Sequence, residues 1–180
     1  MKMDDFFRKL EDAIRDSWVE MATQQGAQIA DAYKTELTTA IRGQKYFWPP
    51  LNKQYLERKR KLGLDLRKLI ATGEYIKAIR VKLNGVNLKD LKITYEVSPP
   101  RTRIKPSKLN PRPSAKMTYE KLARIHEYGT RKIPARPHWR PTTAAFQAKA
   151  PGYSKAMQKV FLEKIDRKMA RFMSSQGFGG

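Results

Sequence analysis

The spacing of apolar residues changes along this chain, and that change limits what it can fold into. Near the N-terminus Phe6, Phe7, Leu10, Ala13, Ile14, Trp18 and Met21 step by three and four, one arc of a helical wheel. Asp4 and Asp5 fall in the first turn, where carboxylates complement the helix dipole. Past Gly26 the set Ile29, Tyr33, Leu37 and Ile41 occupies a different face, so the helix either wraps a curved surface or breaks near Gly26; Gly43 marks its stop. In the middle, Ile79, Val81 and Leu83 alternate with Arg80 and Lys82, and Leu91, Ile93, Tyr95 and Val97 alternate again. That is strand spacing, with Asn84-Gly85 as a turn and 86–90 as loop in an antiparallel pair. A helical stripe returns at Tyr153, Met157, Phe161, Ile165, Met169 and Phe172. Helices at both ends around one small sheet predict an α+β fold.

The connecting segments have their own character. Residues 44–53 (QKYFWPPLNK) form an aromatic, proline-containing connector in which Trp48 needs a pocket. Residues 54–61 read as a basic helix ending near Gly63, and Thr72 as the N-cap of a short helix that buries Tyr75, Ile76 and Ile79. Residues 98–116 hold five prolines, no acid and the cations Arg101, Arg103, Lys105, Lys108, Arg112 and Lys116. Such a stretch predicts an exposed, extended arm, either one that contacts a polyanion or a neighbouring subunit, or a solvated loop. Residues 119–128 fit helix or strand, 133–141 (IPARPHWRP) predict a rigid extended connector, and the tail 174–180 is expected to fray.

Composition narrows the function classes. At 180 residues the chain is one domain's worth of material, or two small ones. The reading is a single domain 1–180, parsed as 1–43, 44–78, 79–97, 98–118, 119–152, 153–173 and 174–180. Lys and Arg number 38 against 17 Asp and Glu, a net charge of +21, which favours polyanionic partners. The chain has no cysteine and only two histidines, His126 and His138, so thiolate chemistry is excluded and a histidine-rich metal site is not expected. The acidic N-terminus does not resemble a signal peptide and no apolar run reaches membrane-spanning length, so the expectation is an intracellular, soluble chain. No phosphate loop, nucleophile elbow or zinc-protease motif occurs. His126-Glu127 could form an acid–base pair only in special geometry, because adjacent residues do not face each other; a histidine hydrogen-bonded at an element's end is the plainer reading. His138 reads as a packing or interface residue. No enzyme, cofactor or metal is expected. The diffuse basic residues suit sequence-blind contact with a nucleic-acid backbone.

Two segments carry a resemblance. Residues 48–79, WPPLNKQYLERKRKLGLDLRKLIATGEYIKAI, resemble the W-x-P-L…Y-x-x-x-K…L-x-x-T-G-x-L-x-x-S-I pattern of phage virion-morphogenesis and tail-completion proteins. Residues 125–141, IHEYGTRKIPARPHWRP, look like the H-E-x-G-T-x-x-x-P-A-R-P-F-x-R-P signature of the same families, in the same order. Position by position the pattern falls on Trp48, Pro50, Leu51, Tyr55, Lys59, Thr72, Gly73 and Ile79, then on His126, Glu127, Gly129, Thr130, Pro134, Ala135, Arg136, Pro137, Arg140 and Pro141. Tyr75 stands where the pattern has leucine, Ala78 where it has serine and His138 where it has phenylalanine.

The resemblance implies a head–tail connector protein of a long-tailed phage: a neck, tail-completion or tail-terminator subunit, built into the virion after assembly in the host cytoplasm. It implies a homo-oligomeric ring of six or twelve subunits around the DNA channel. The partners would be portal or adaptor proteins and tail proteins, with backbone contact to DNA, no membrane and no catalysis. The alternative reading is a sequence-independent DNA-binding or packaging accessory protein. Arg136 and Arg140 are fork-shaped donors that suit carboxylates across a subunit joint, or that stitch one subunit together. Gly129 can supply the positive φ of a turn after Tyr128, and the P-A-R-P strap has little conformational freedom to lose on assembly.

Overall fold

The computed structural model describes residues 3–87, 89–90 and 92–175, apart from the side chains of Met3, Phe172, Met173 and Ser175. Among them are six helices and one two-stranded antiparallel sheet, an α+β fold. The elements are α1 (Met3–Arg42), α2 (Lys53–Lys61), α3 (Glu74–Ala78), β1 (Arg80–Asn87), β2 (Lys92–Ser98), α4 (Tyr119–Tyr128), α5 (Trp139–Gln147) and α6 (Ala150–Ser175). They group into two compact units. Unit 1 comprises Met1–Ile29, Leu83–Tyr95 and Ala148–Gly180; unit 2 comprises Ala30–Lys82 and Glu96–Gln147.

In unit 1, α1 passes through Gly26 without a break. The glycine is there for contact: a Cβ at this position would stand 2.5 Å from the Tyr95 ring, whose hydroxyl donates to the Thr23 carbonyl at 2.5 Å. The expected apolar arc is only partly used. Ser17, Met21 and Ala22 are buried, with the Ser17 hydroxyl donating to the Ala13 carbonyl, while Phe7 and Ile14 are exposed. On α6 the stripe from Tyr153 to Met169 is half-buried, and Lys164 pairs with Glu20 of α1 at 2.6 Å. The tail expected to fray from 174 instead continues α6 through Ser175, and the expectations for Leu91, for the Phe172 side chain and for 176–180 lie outside the described residues.

The hairpin corrects one expected turn. Asn84 and Gly85 belong to β1, which continues to Asn87. The chain reverses beyond it, where the Asn87 side chain accepts from the amides of Lys89 and Asp90. An Asn-Gly pair marks a hairpin only when the strands flank it directly; here an Asn side chain further along supplies the turn.

Unit 2 holds the main core, formed by Leu37, Ile41, Trp48, Ile70, Tyr75, Ile76, Ile79, Tyr119 and Ala123. Asn52 caps α2 by accepting from the Gln54 amide. The expected cap at Thr72 gives way to Gly73, whose φ of 75° is left-handed; the Thr72 hydroxyl reaches the Glu74 amide only at 3.4 Å. Residues 119–128 resolve to a helix, capped by the Thr118 side chain. The extended strap is shorter than expected, because α5 starts at Trp139 and takes Pro141 into its first turn, where a missing N–H costs nothing.

The basic segment is a pinned loop rather than a free arm. Arg103 and Thr118 form an isolated bridge, and the Ile104 amide donates to the Met117 carbonyl. Ser107 and Asn110 close a turn, Pro99 and Pro113 are buried, and Ile104 packs on the core. Proline-rich composition predicted exposure, and most of the segment is exposed; a few well-placed backbone bonds and apolar side chains hold it in place.

Candidate functional site

The two motif blocks meet in unit 2 around a buried polar node. The Trp48 indole N–H donates to the Pro137 carbonyl at 2.7 Å, and Arg136 Nη2 donates to the Pro50 carbonyl at 3.1 Å. These partners lie 89 and 86 positions apart in sequence. The Arg136 amide bonds the His126 carbonyl at 2.6 Å, fastening the strap to the end of α4.

Glu127 is the centre of the second block. Its Oε2 accepts from the amides of His138 and Trp139 at 2.8 and 3.0 Å, and its Oε1 from the amide and Nε of Arg140, both at 3.0 Å. A carboxylate on the last turn of α4 therefore serves as the N-cap of α5, matching negative charge to unpaired amides and the dipole's positive end. Burial pushes the Glu127 carboxyl up, but these four donors outweigh it and hold the acid below its ordinary range.

His138 is fully buried and its tautomer follows from its neighbours. Nδ1 lies 3.0 Å from the Arg136 carbonyl, which can only accept, so Nδ1 carries the proton. Nε2 then accepts from the Tyr75 hydroxyl at 2.6 Å, and that oxygen accepts from the Trp139 indole N–H at 3.0 Å. Burial lowers the His138 pKa, against the raising influence of the Arg136 carbonyl and Glu127, and burial raises that of Tyr75. The His126 ring meets Tyr75 edge-on at 5.7 Å, and burial, with His138 and Arg136 nearby, lowers its pKa to about 3. The expected hydrogen bond on His126 does not form: its Nδ1, like Arg136 Nε, is buried without a partner among the described residues.

Lys59 is buried too, its Nζ donating to the carbonyls of Arg67 and Ile70. The cation closes the turn after α2, and burial depresses its pKa. Ile79 lies in the core, Leu51, Ala135, Pro137 and Pro141 are half-buried, and Pro50, Tyr55, Thr72, Thr130 and Pro134 are exposed. Gly129 has φ 74°, and a Cβ there would stand 2.7 Å from the Ala135 amide nitrogen. Arg136 and Arg140 both bond acceptors of their own chain, as stitching residues do. The basic residues Arg101, Arg103, Lys105, Lys108, Arg112 and Lys116 stay outside this node, exposed on the pinned loop. Arg101 pairs with Glu120 at 3.2 Å, and Arg103 donates to the Pro113 carbonyl.

Sequence reasoning passed over two features of the node. The hydroxyl pairs Tyr46–Thr142 and Tyr33–Thr143, at 2.7 and 2.8 Å, tie α5 to the end of α1 and the connector; nothing in their spacing announces them. Tyr75 and His138 did carry a signal, since both depart from the apolar pattern. They depart together and they touch. Neither a protein-family model, nor a curated protein, nor a solved structure matches this chain.

Proposed function

We propose that this chain is a structural subunit of the head–tail junction of a long-tailed phage. It is a neck or tail-completion protein that closes as a homo-oligomeric ring around the DNA channel and joins portal or adaptor to tail in the virion. The observation that carries the reading is the Tyr75–His138 pair. The pattern this chain resembles has leucine and phenylalanine at these two positions, and here both are polar and hydrogen-bonded to each other at 2.6 Å. Paired replacement at touching positions is what a shared fold produces, because a lone buried hydroxyl or imidazole is costly. A holding role rather than a catalytic one fits the chemistry: Glu127 is saturated by four donors, and both His138 nitrogens and the Tyr75 hydroxyl are engaged.

The test is the mass of the purified protein in solution at low and high salt, with negative-stain images of any oligomer. A closed ring supports the connector and its symmetry separates neck from tail terminator. A monomer under every condition, including in the presence of portal or tail proteins, overturns it.

A second reading, a sequence-independent DNA-binding or packaging accessory protein, draws on the exposed cations of loop 101–116. Duplex titration distinguishes it: affinity of the isolated chain falling steeply with salt, with a slope of several phosphate contacts, favours the accessory role.

A further inference from the structure

The motif 125–141 has an outer side as well as a buried one. The node holds the turn after α4 rigidly. Gly129 takes a left-handed φ against Ala135, the amides of Thr130 and Ile133 exchange bonds with each other's carbonyls, and Arg140 is anchored on Glu127. This frame presents two large apolar residues to solvent, Tyr128 at 65% and Ile133 at 39% exposure. Cations surround them: Arg124 one helical turn before Tyr128, Arg131 and Lys132 in the turn, and Arg140, whose guanidinium lies 5.1 Å from the Tyr128 ring centre. A pre-ordered Tyr–Ile anchor with an arginine rim is the make-up of a protein-binding hot spot. Phosphate contact alone needs no such apolar centre.

The complementary surface occurs in the same chain. On α1, positions 4, 7, 11 and 14 fall on one stripe, and it reads acid, apolar, acid, apolar: Asp4, Phe7, Glu11 and Ile14. Phe7 is 58% and Ile14 40% exposed. The charges divide accordingly. Unit 2 holds 25 Lys and Arg against 8 Asp and Glu, a net +17 of the chain's +21, whereas residues 1–29 hold 4 against 6, a net −2. Glu11 is occupied by Arg15 in an exposed pair, which costs little to exchange.

We propose that the turn 128–133, with Arg124 and Arg140, docks the acidic–apolar stripe of α1 from a second copy of this chain. The two faces are different patches, so the contact is head-to-tail and repeats from copy to copy, closing where the rotation closes. The assignment rests on the ring reading above and names the surfaces that would make the ring.

The test is a charge exchange in the full chain. Arg131→Glu with Lys132→Glu makes one variant, and Asp4→Lys with Glu11→Lys the other. Each alone should weaken self-association at low salt by on the order of tenfold or more, and an equal mixture should recover it, because each variant then offers the face the other lacks. Tyr128→Ala should weaken association while leaving the melting of the dissociated monomer, read at dilution, unchanged, since this side chain is 65% exposed. A ring that persists in all three variants overturns this docking and leaves the ring reading standing. A parent protein that never associates overturns both. Loss of duplex binding in the Arg131/Lys132 variant with association intact makes the turn a polyanion site and overturns the proposal.

Discussion

Single residues in the node are tied to one another, so their substitutions do not add. Tyr75→Leu would leave His138 Nε2 and the Trp139 indole unpaired, and His138→Phe would remove the acceptor of the Tyr75 O–H, leaving that oxygen only the bond it accepts from Trp139. Each should cost ~1–3 kcal/mol, as unpaired buried polar groups do. The double variant should cost less than the sum, which a double-mutant cycle in denaturant would read directly. Protonation is the second handle. A histidine whose folded pKa is depressed contributes stability that is complete above its unfolded value, near 6.5, and lost as pH falls toward the folded value. His126 is held down to about 3. Stability should therefore decline below about pH 6.5 by up to ~1.4 kcal/mol per pH unit from this residue, with His138 adding in the same direction. Glu127, also depressed, withdraws its cap only at lower pH. His126→Phe should flatten the slope between about pH 6.5 and about pH 4.5. An unchanged slope would mean that some other group takes up the proton.

At the scale of elements, two glycines decide where segments can approach. Gly129→Ala forces a side chain onto a left-handed residue and a Cβ against the Ala135 backbone. It should destabilise by ~2–3 kcal/mol or more and disturb the turn 128–133 with it. Gly26→Ala is the opposite of a routine helix repair. In an open helix the change gains ~1 kcal/mol; here the new methyl meets the Tyr95 ring at 2.5 Å and the change should destabilise. In a Tyr95→Ala background the same substitution should turn favourable, and a cycle measured by thermal melting would show the change of sign. Helices α1 and α6 and the strand pair were legible from the period of their apolar residues, although β1 leaves Leu83 and Val86 exposed; α2 was legible as a basic helix. Helix α5 was not. Pro137 and Pro141 flank its start, and its N-terminus is capped by Glu127, 11 to 13 positions earlier, so no local capping residue announces it.

For the whole molecule, net charge matters most. Most of the +21 lies in unit 2, where like charges repel in the compact state. Raising salt from about 0.1 M to about 1 M shortens the screening length from about 10 to about 3 Å, and the melting temperature should rise across that range. Melting that falls or stays flat would mean that native ion pairs outweigh the repulsion. Replacing Lys105, Lys108, Arg112 and Lys116 by glutamine should raise stability at low salt and lower any duplex affinity. Each lost phosphate contact would reduce the salt slope by about 0.9.

What the sequence alone determined is whatever is written in short-range order: the helix and strand periods, the α+β class, the basic loop, the need of Trp48 for a pocket and of Gly129 for a positive φ. The tertiary structure decided which side chains share the node. Glu127 reads in sequence as half of an acid–base pair with His126, yet it caps a helix that begins 12 positions later. Lys59 reads as one cation in a basic helix, yet it is buried on two carbonyls. Phe7 and Ile14 fit the buried arc of α1 and lie outside it. The physical reason is common to all three. A period shows that a face exists, but which polar atom meets which backbone group depends on where the chain folds back, and that is set by long-range packing rather than by neighbours in sequence.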